Sequence, residues 1–66
     1  MTSEERQLAI QCGGDVMSAA FHLRHLCNTH EPVGIARAMV TLEEATFRLA
    51  KHLLAIKMRM LGVLDG

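Results

Sequence analysis

The chain has 66 residues, half of them apolar, and its seven basic and seven acidic side chains give a formal net charge of zero. One domain of this size has a small core, so we expect added stability from a disulfide, a metal or self-association. A neutral chain attracts polyanions weakly, which argues against nucleic acid as the main partner. The apolar runs are too short to span a bilayer and no basic signal region opens the chain, so we expect a cytoplasmic protein.

The first periodic segment predicts an α-helix over residues 3–28. Thr2 followed by Glu5 fits a capping box, which closes the N-terminus of a helix. Apolar or small residues then recur at alternating steps of four and three residues: Ala9, Gly13, Val16, Ala20, Leu23 and Cys27. Because this period does not slip across Gly13-Gly14, we favour one continuous helix. The alternative is a short helix, a kink at the two glycines and a second helix.

Turn-forming residues follow the first helix, and a second helix is predicted over residues 34–63. The turn is placed at residues 29–33, where Pro32 disfavours helix for the residue before it. So short a connection makes the two helices antiparallel neighbours. The sequence therefore predicts one all-α domain over residues 1–66, an antiparallel helical hairpin.

The second helix carries a repeat of apolar residues over about four heptads. It consists of Ile35, Met39, Leu42, Thr46, Leu49, Leu53, Ile56, Met60 and Val63. This repeat predicts the face that packs on the first helix. The expected hairpin core consists of Val16, Leu23, Leu42, Leu49, Leu53 and Ile56.

A second apolar row runs beside the first and is interrupted by Glu43 and Lys57. Among its large members are Val40, Phe47, Leu54 and Leu61. One partner helix covers only a part of so wide an apolar arc, and soluble monomers rarely expose the remainder. We expect these four residues to form an interface between copies, most simply in a dimeric four-helix bundle; the alternative is a monomer with a tolerated apolar face.

The sequence carries none of the stronger catalytic or metal-binding motifs. Cys12 and Cys27 lie about 22 Å apart on one helix, too far for a disulfide within the chain, so we interpret them as reduced, small apolar residues. His22, His25 and His30 form no His-x3-His or Glu-x-x-His pair, so solvated histidines are favoured over a zinc site. We expect no enzymatic activity, no metal and no cofactor.

The polar face of the second helix is the candidate ligand-binding surface. Repeated by symmetry around an oligomer, His30, Arg37, Arg48 and Lys51 would surround an anionic ligand, because guanidinium groups suit phosphate. The alternative is a solvated face held by pairs such as Glu44 with Arg48.

Two segments of the second helix carry a resemblance to a known family. Arg37-Ala38-Met39 and Leu42-Glu43-Glu44-Ala45-Thr46-Phe47 resemble the anti-CBASS sponge family, small helical phage proteins that sequester cyclic oligonucleotide messengers of bacterial immunity. The family has a Trp-Ala-Asn run where this chain has Arg48-Leu49-Ala50. The resemblance implies an anti-defence protein of a phage, acting in the host cytoplasm, whose oligomer binds a cyclic oligonucleotide between subunits.

Three binding functions follow as hypotheses. The first is the sequestering of a cyclic nucleotide, and the second is an inhibitor or adaptor that masks a host protein through its apolar helix face. The third, and least favoured, is an RNA-binding helical dimer, whose affinity would fall steeply with salt concentration.

Overall fold

The computed structural model consists of two α-helices that pack antiparallel as a hairpin about 53 Å long. Helix α1 spans Ser3–Leu26 and helix α2 spans Pro32–Asp65. The structure describes residues 1–65, and side chains for residues 1–62, so Val63 of the predicted repeat lies outside the described side chains. The all-α helical hairpin is confirmed. In the part of the chain described, neither helix is both long and apolar enough to cross a membrane.

Helix α1 begins with the predicted capping box and continues without a break. The Thr2 hydroxyl accepts a hydrogen bond from the Glu5 backbone N–H at 3.1 Å, and the Glu5 carboxylate accepts one from the Thr2 N–H at 2.8 Å. Gly13 and Gly14 lie within the helix, and neither has a positive φ. The helix ends at Leu26, two residues before the predicted end, because Thr29 turns back to donate to the Leu26 carbonyl from both its N–H and its hydroxyl.

Helix α2 begins at Pro32, earlier than predicted, because Glu31 caps it. The Glu31 carboxylate accepts hydrogen bonds from the Val33 N–H, at 3.2 Å, and from the Gly34 N–H. Proline suits the first position of a helix, since its missing N–H has no partner there. His30, just before the cap, has a φ of 59°, in the left-handed region. The connection is therefore residues 27–31, and α2 continues to Asp65 instead of ending at residue 63.

The contact between the helices is lined mainly by small residues. The buried apolar residues are Cys12, Ala19, Ala38, Ala45 and Ile56. On α2, the least exposed residues follow a three-four repeat: Ile35, Ala38, Leu42, Ala45, Leu49, His52 and Ile56. Ala19 of α1 and Ala45 of α2 line the same groove, so small side chains meet where the backbones approach closely. Close approach of this kind depends on small residues at the crossing.

The observed repeat shares Ile35, Leu42, Leu49 and Ile56 with the predicted repeat but differs from it at the positions between them. Leu42, Leu49 and Ile56 face α1 as expected, and Val16 and Leu23 of α1 are half-buried. Leu53, however, is 42% exposed, so its prediction as a core residue of the single hairpin is wrong. The physical reason is that Leu42, Leu49 and Ile56 form a row with small residues, Ala38 and Ala45, along one edge and larger residues along the other. Helix α1 packs against the alanine edge because small side chains let the backbones approach. The edge formed by Met39, Thr46, Leu53 and Met60 is left exposed.

Candidate functional site

The largest apolar surface lies on the side of α2 that faces away from α1. Val40, Phe47, Leu54 and Leu61, here called the outer stripe of α2, are 52%, 73%, 55% and 47% exposed. Phe47 is two residues from both Ala45 and Leu49. Two residues correspond to a rotation of about 200°, so Phe47 lies on the opposite side of the helix from them. These are the four residues predicted as an interface between copies, and the single chain leaves all of them exposed.

The exposed edge of the hairpin contact widens this surface. Met39, Leu53 and Met60 are 47%, 42% and 38% exposed, and Ala50 between the two rows is exposed as well. At the end of the hairpin an open apolar groove is lined by Met1, Leu53, Ile56, Lys57, Met60 and Leu61. The apolar arc of α2 thus exceeds by far the ~100° that packing against one helix requires.

A second apolar surface lies on α1, and sequence reasoning missed it. Ile10, Met17 and Phe21, here called the outer stripe of α1, are 70%, 74% and 73% exposed. Their spacing of seven and then four residues is helical and could have revealed the stripe. The stripe is weak as a pattern because Gly14 interrupts it, and the stronger repeat of α1 lies about 100° away around the helix. Met17 and Phe21 line a shallow groove together with Ser18, His22 and His25.

The polar side of the hairpin forms an open groove between the helices. Asp15 and His22 of α1 and Thr41, Glu44 and Arg48 of α2 line it. The Arg48 guanidinium lies 3.9 Å from the Asp15 carboxylate, and both side chains are more than half exposed. Such an exposed pair contributes little to stability. An anion that binds Arg48 competes with the carboxylates of Asp15 and Glu44, which line the same groove.

The four candidate ligand residues are spread along the hairpin, and only two of them come together. His30 lies in the connection, and Arg37 is eleven residues from Arg48, about 16 Å along the helix. Arg48 and Lys51 line one shallow groove, together with Glu43, Glu44 and Phe47. A single chain therefore places two cations beside an exposed aromatic ring, whereas His30 and Arg37 lie elsewhere.

A bidentate ion pair joins the free ends of the two helices. The Nε and Nη2 atoms of Arg59 donate to the Glu5 carboxylate at 2.8 and 2.5 Å. These hydrogen bonds, followed by the one from the Thr2 N–H, lower the pKa of Glu5 from its ordinary 4.5 to about 2. The same pairing raises the pKa of Arg59. No pattern in the sequence predicts this pair, because its two residues are brought together only by the hairpin.

The cysteines and histidines do not assemble into a site among the described side chains. Cys12 is buried in the helix contact and Cys27 is exposed at the end of α1, and both are free thiols. Within the described residues, no group of three or more His, Cys, Asp or Glu side chains is arranged to hold a metal ion. The exposed surfaces are therefore the features from which function is argued.

The chain was compared with protein families, curated proteins and solved structures. No protein-family model, no curated protein and no solved structure matches this chain. The resemblance of the Leu42–Phe47 segment to the sponge family stays a prediction from the residues that carry it.

Proposed function

We propose that the protein is a non-catalytic, self-associating binding module whose working form is a homodimer built on the outer stripe of α2. One observation carries this proposal: the hairpin buries small side chains and exposes large ones. Ala38 and Ala45 are 4% and 7% exposed, whereas Phe47 of the same helix is 73% exposed. Leaving large apolar side chains in water is unfavourable, and a second copy offers the complementary surface.

The size of the exposed surface supports association. The accessible surface is 5288 Å². A compact monomer of 7.3 kDa is expected to expose about 4,200 Å². The excess of roughly 1,100 Å² exceeds the ~800 Å² that each partner contributes to an interface of standard size. Burying ~800 Å² in a dimer would lower the exposed surface of each copy to about 4,500 Å², closer to the value expected for its mass.

Native mass spectrometry of the protein as purified from cells tests the proposal. We expect a dimer. A monomer at all concentrations, checked by sedimentation equilibrium, would refute self-association. The same spectrum reports a retained small molecule, since a dimer carrying extra mass of nucleotide size separates a sequestering protein from an empty one.

For the bound target, an anionic nucleotide is the first candidate. The groove that Arg48 and Lys51 line together favours it, since cationic side chains contact phosphate. The resemblance to the sponge family implies a cyclic di- or trinucleotide. Titration calorimetry with one cyclic dinucleotide and one cyclic trinucleotide provides the test: we expect Arg48→Ala and Lys51→Ala to abolish binding. Arg24→Ala, on α1, is the matched control and should bind as the unmodified protein does.

The second candidate is an inhibitor or adaptor that masks another protein. It is favoured by the outer stripe of α1, which dimerisation through α2 leaves exposed. Here Arg48→Ala and Lys51→Ala would leave activity in cells intact. Phe21→Ala would abolish it without changing the monomer–dimer equilibrium. Loss of activity in cells in the Arg48→Ala and Lys51→Ala variants, with Phe21→Ala still active, would favour the nucleotide over a protein target.

A further inference from the structure

Two charged residues beside the outer stripe of α2 are placed symmetrically about one residue. Glu43 precedes Ala50 by seven residues and Lys57 follows it by seven. Both side chains are exposed, and among the described side chains neither takes part in an ion pair. On a helix, residues separated by seven lie on nearly the same side, so Glu43, Ala50 and Lys57 form one row.

We infer that two copies of the chain pair antiparallel through α2 with Ala50 on the two-fold axis, so that Glu43 of each copy faces Lys57 of the other. This inference rests on the self-association proposed above and specifies its partner and register. In a two-fold interface each contact occurs twice, so the pairing supplies two equivalent ion pairs. The two charges that interrupt the apolar row then become the groups that select the register.

The same register matches the apolar side chains. Antiparallel pairing about Ala50 brings residue 47 level with residue 53 of the second copy. Leu54 of that copy is the next residue along the helix, a rise of about 1.5 Å. Phe47 therefore packs beside Leu54 of the other chain, and Val40 beside Leu61 by the same arithmetic. Ala50 meets its own copy at the axis, where a small side chain allows the helices to approach to about 8 Å.

Other arrangements of the same two faces carry an electrostatic penalty. A parallel pair places Glu43 beside Glu43 and Lys57 beside Lys57. Sliding the antiparallel pair by four residues places Glu43 at the level of Leu53 or Leu61, which buries a carboxylate against an apolar side chain. Unpaired and like charges disfavour these alternative arrangements, so the register about Ala50 is the one that satisfies both charges.

Charge reversal tests this register through the dimer dissociation constant measured by sedimentation equilibrium. Glu43→Lys and Lys57→Glu should each weaken the dimer at least tenfold, because each puts like charges at both contacts. The double variant, in which the two charges are exchanged, should return the constant to within about threefold of the unmodified protein. Glu44→Lys changes the same charge one residue away, on the polar side, and should not weaken the dimer. A dimer that is indifferent to the single reversals, or is not rescued by the exchange, overturns the register.

Spin-label distances give an independent measurement that does not depend on charge. With Cys27→Ser to remove the exposed thiol, labels at Arg37→Cys should lie about 39 Å apart along the paired helices, whereas labels at Lys51→Cys should be nearly level. A parallel dimer gives short distances at both positions and refutes the inference while self-association stands. An unmodified protein that is monomeric refutes self-association itself.

Discussion

Truncating Phe47 to alanine should dissociate the dimer. Phe47 is 73% exposed in the hairpin, as is Phe21. A phenylalanine residue can bury 150–250 Å², so roughly 110–180 Å² of Phe47 is available for an interface. At about 25 cal/mol per Å², and with partial coverage and the area that alanine retains, the loss is about 2 kcal/mol per copy. Each dimer contains two copies, so about 4 kcal/mol is lost and the dissociation constant rises about a thousandfold.

The assay is sedimentation equilibrium over a wide concentration range, with circular dichroism recorded on the same samples. Phe21→Ala is the control, because it removes the same side chain at the same exposure from α1. It should leave the dissociation constant within about threefold of the unmodified value, as expected for a residue outside the interface. The reasoning is refuted if Phe47→Ala dimerises as well as the unmodified protein, or if Phe21→Ala weakens the dimer as much.

Three further predictions concern the hairpin itself. Leu49→Ala should lower the free energy of unfolding by about 2 to 5 kcal/mol, near the lower end since Leu49 is only half-buried; urea unfolding measures it, and a loss below about 0.5 kcal/mol would contradict its place between the helices. Glu5 has its pKa lowered to about 2, so its ion pair with Arg59 stabilises the fold above the ordinary pKa of 4.5 and this contribution disappears as pH falls toward 2. Arg59→Met should therefore lower the melting temperature at pH 6 and have little effect at pH 2; an equal effect at both values would exclude the pair as its cause. Gly14→Ala should stabilise α1 by about 0.5 to 1 kcal/mol, because a methyl group there meets no atom within 4 Å, and an unchanged or lower melting temperature would indicate that this face is already covered.

The local features of the hairpin were readable from the sequence. Thr2 and Glu5 form the capping box that their spacing predicts, and the unbroken period correctly indicates that the two glycines do not interrupt α1. These features depend on residues three or four positions apart, whose relation within a helix is fixed by its geometry. The end of α1 and the start of α2 each lie two residues before their predicted positions, because capping by Thr29 and Glu31 depends on side-chain conformations in the connection.

The tertiary structure decided which side of α2 meets α1. The sequence offers two adjacent edges beside Leu42, Leu49 and Ile56, and hydrophobicity alone favours Leu53 over Ala45. Packing favours the alanine edge, because the approach of two backbones depends on volume as well as on apolarity. The same choice exposes Phe47 and Leu54, and the antiparallel packing brings Glu5 to Arg59 across a separation of 54 residues. Periodicity along one helix specifies a face, whereas contact across two helices selects the part of that face that is buried.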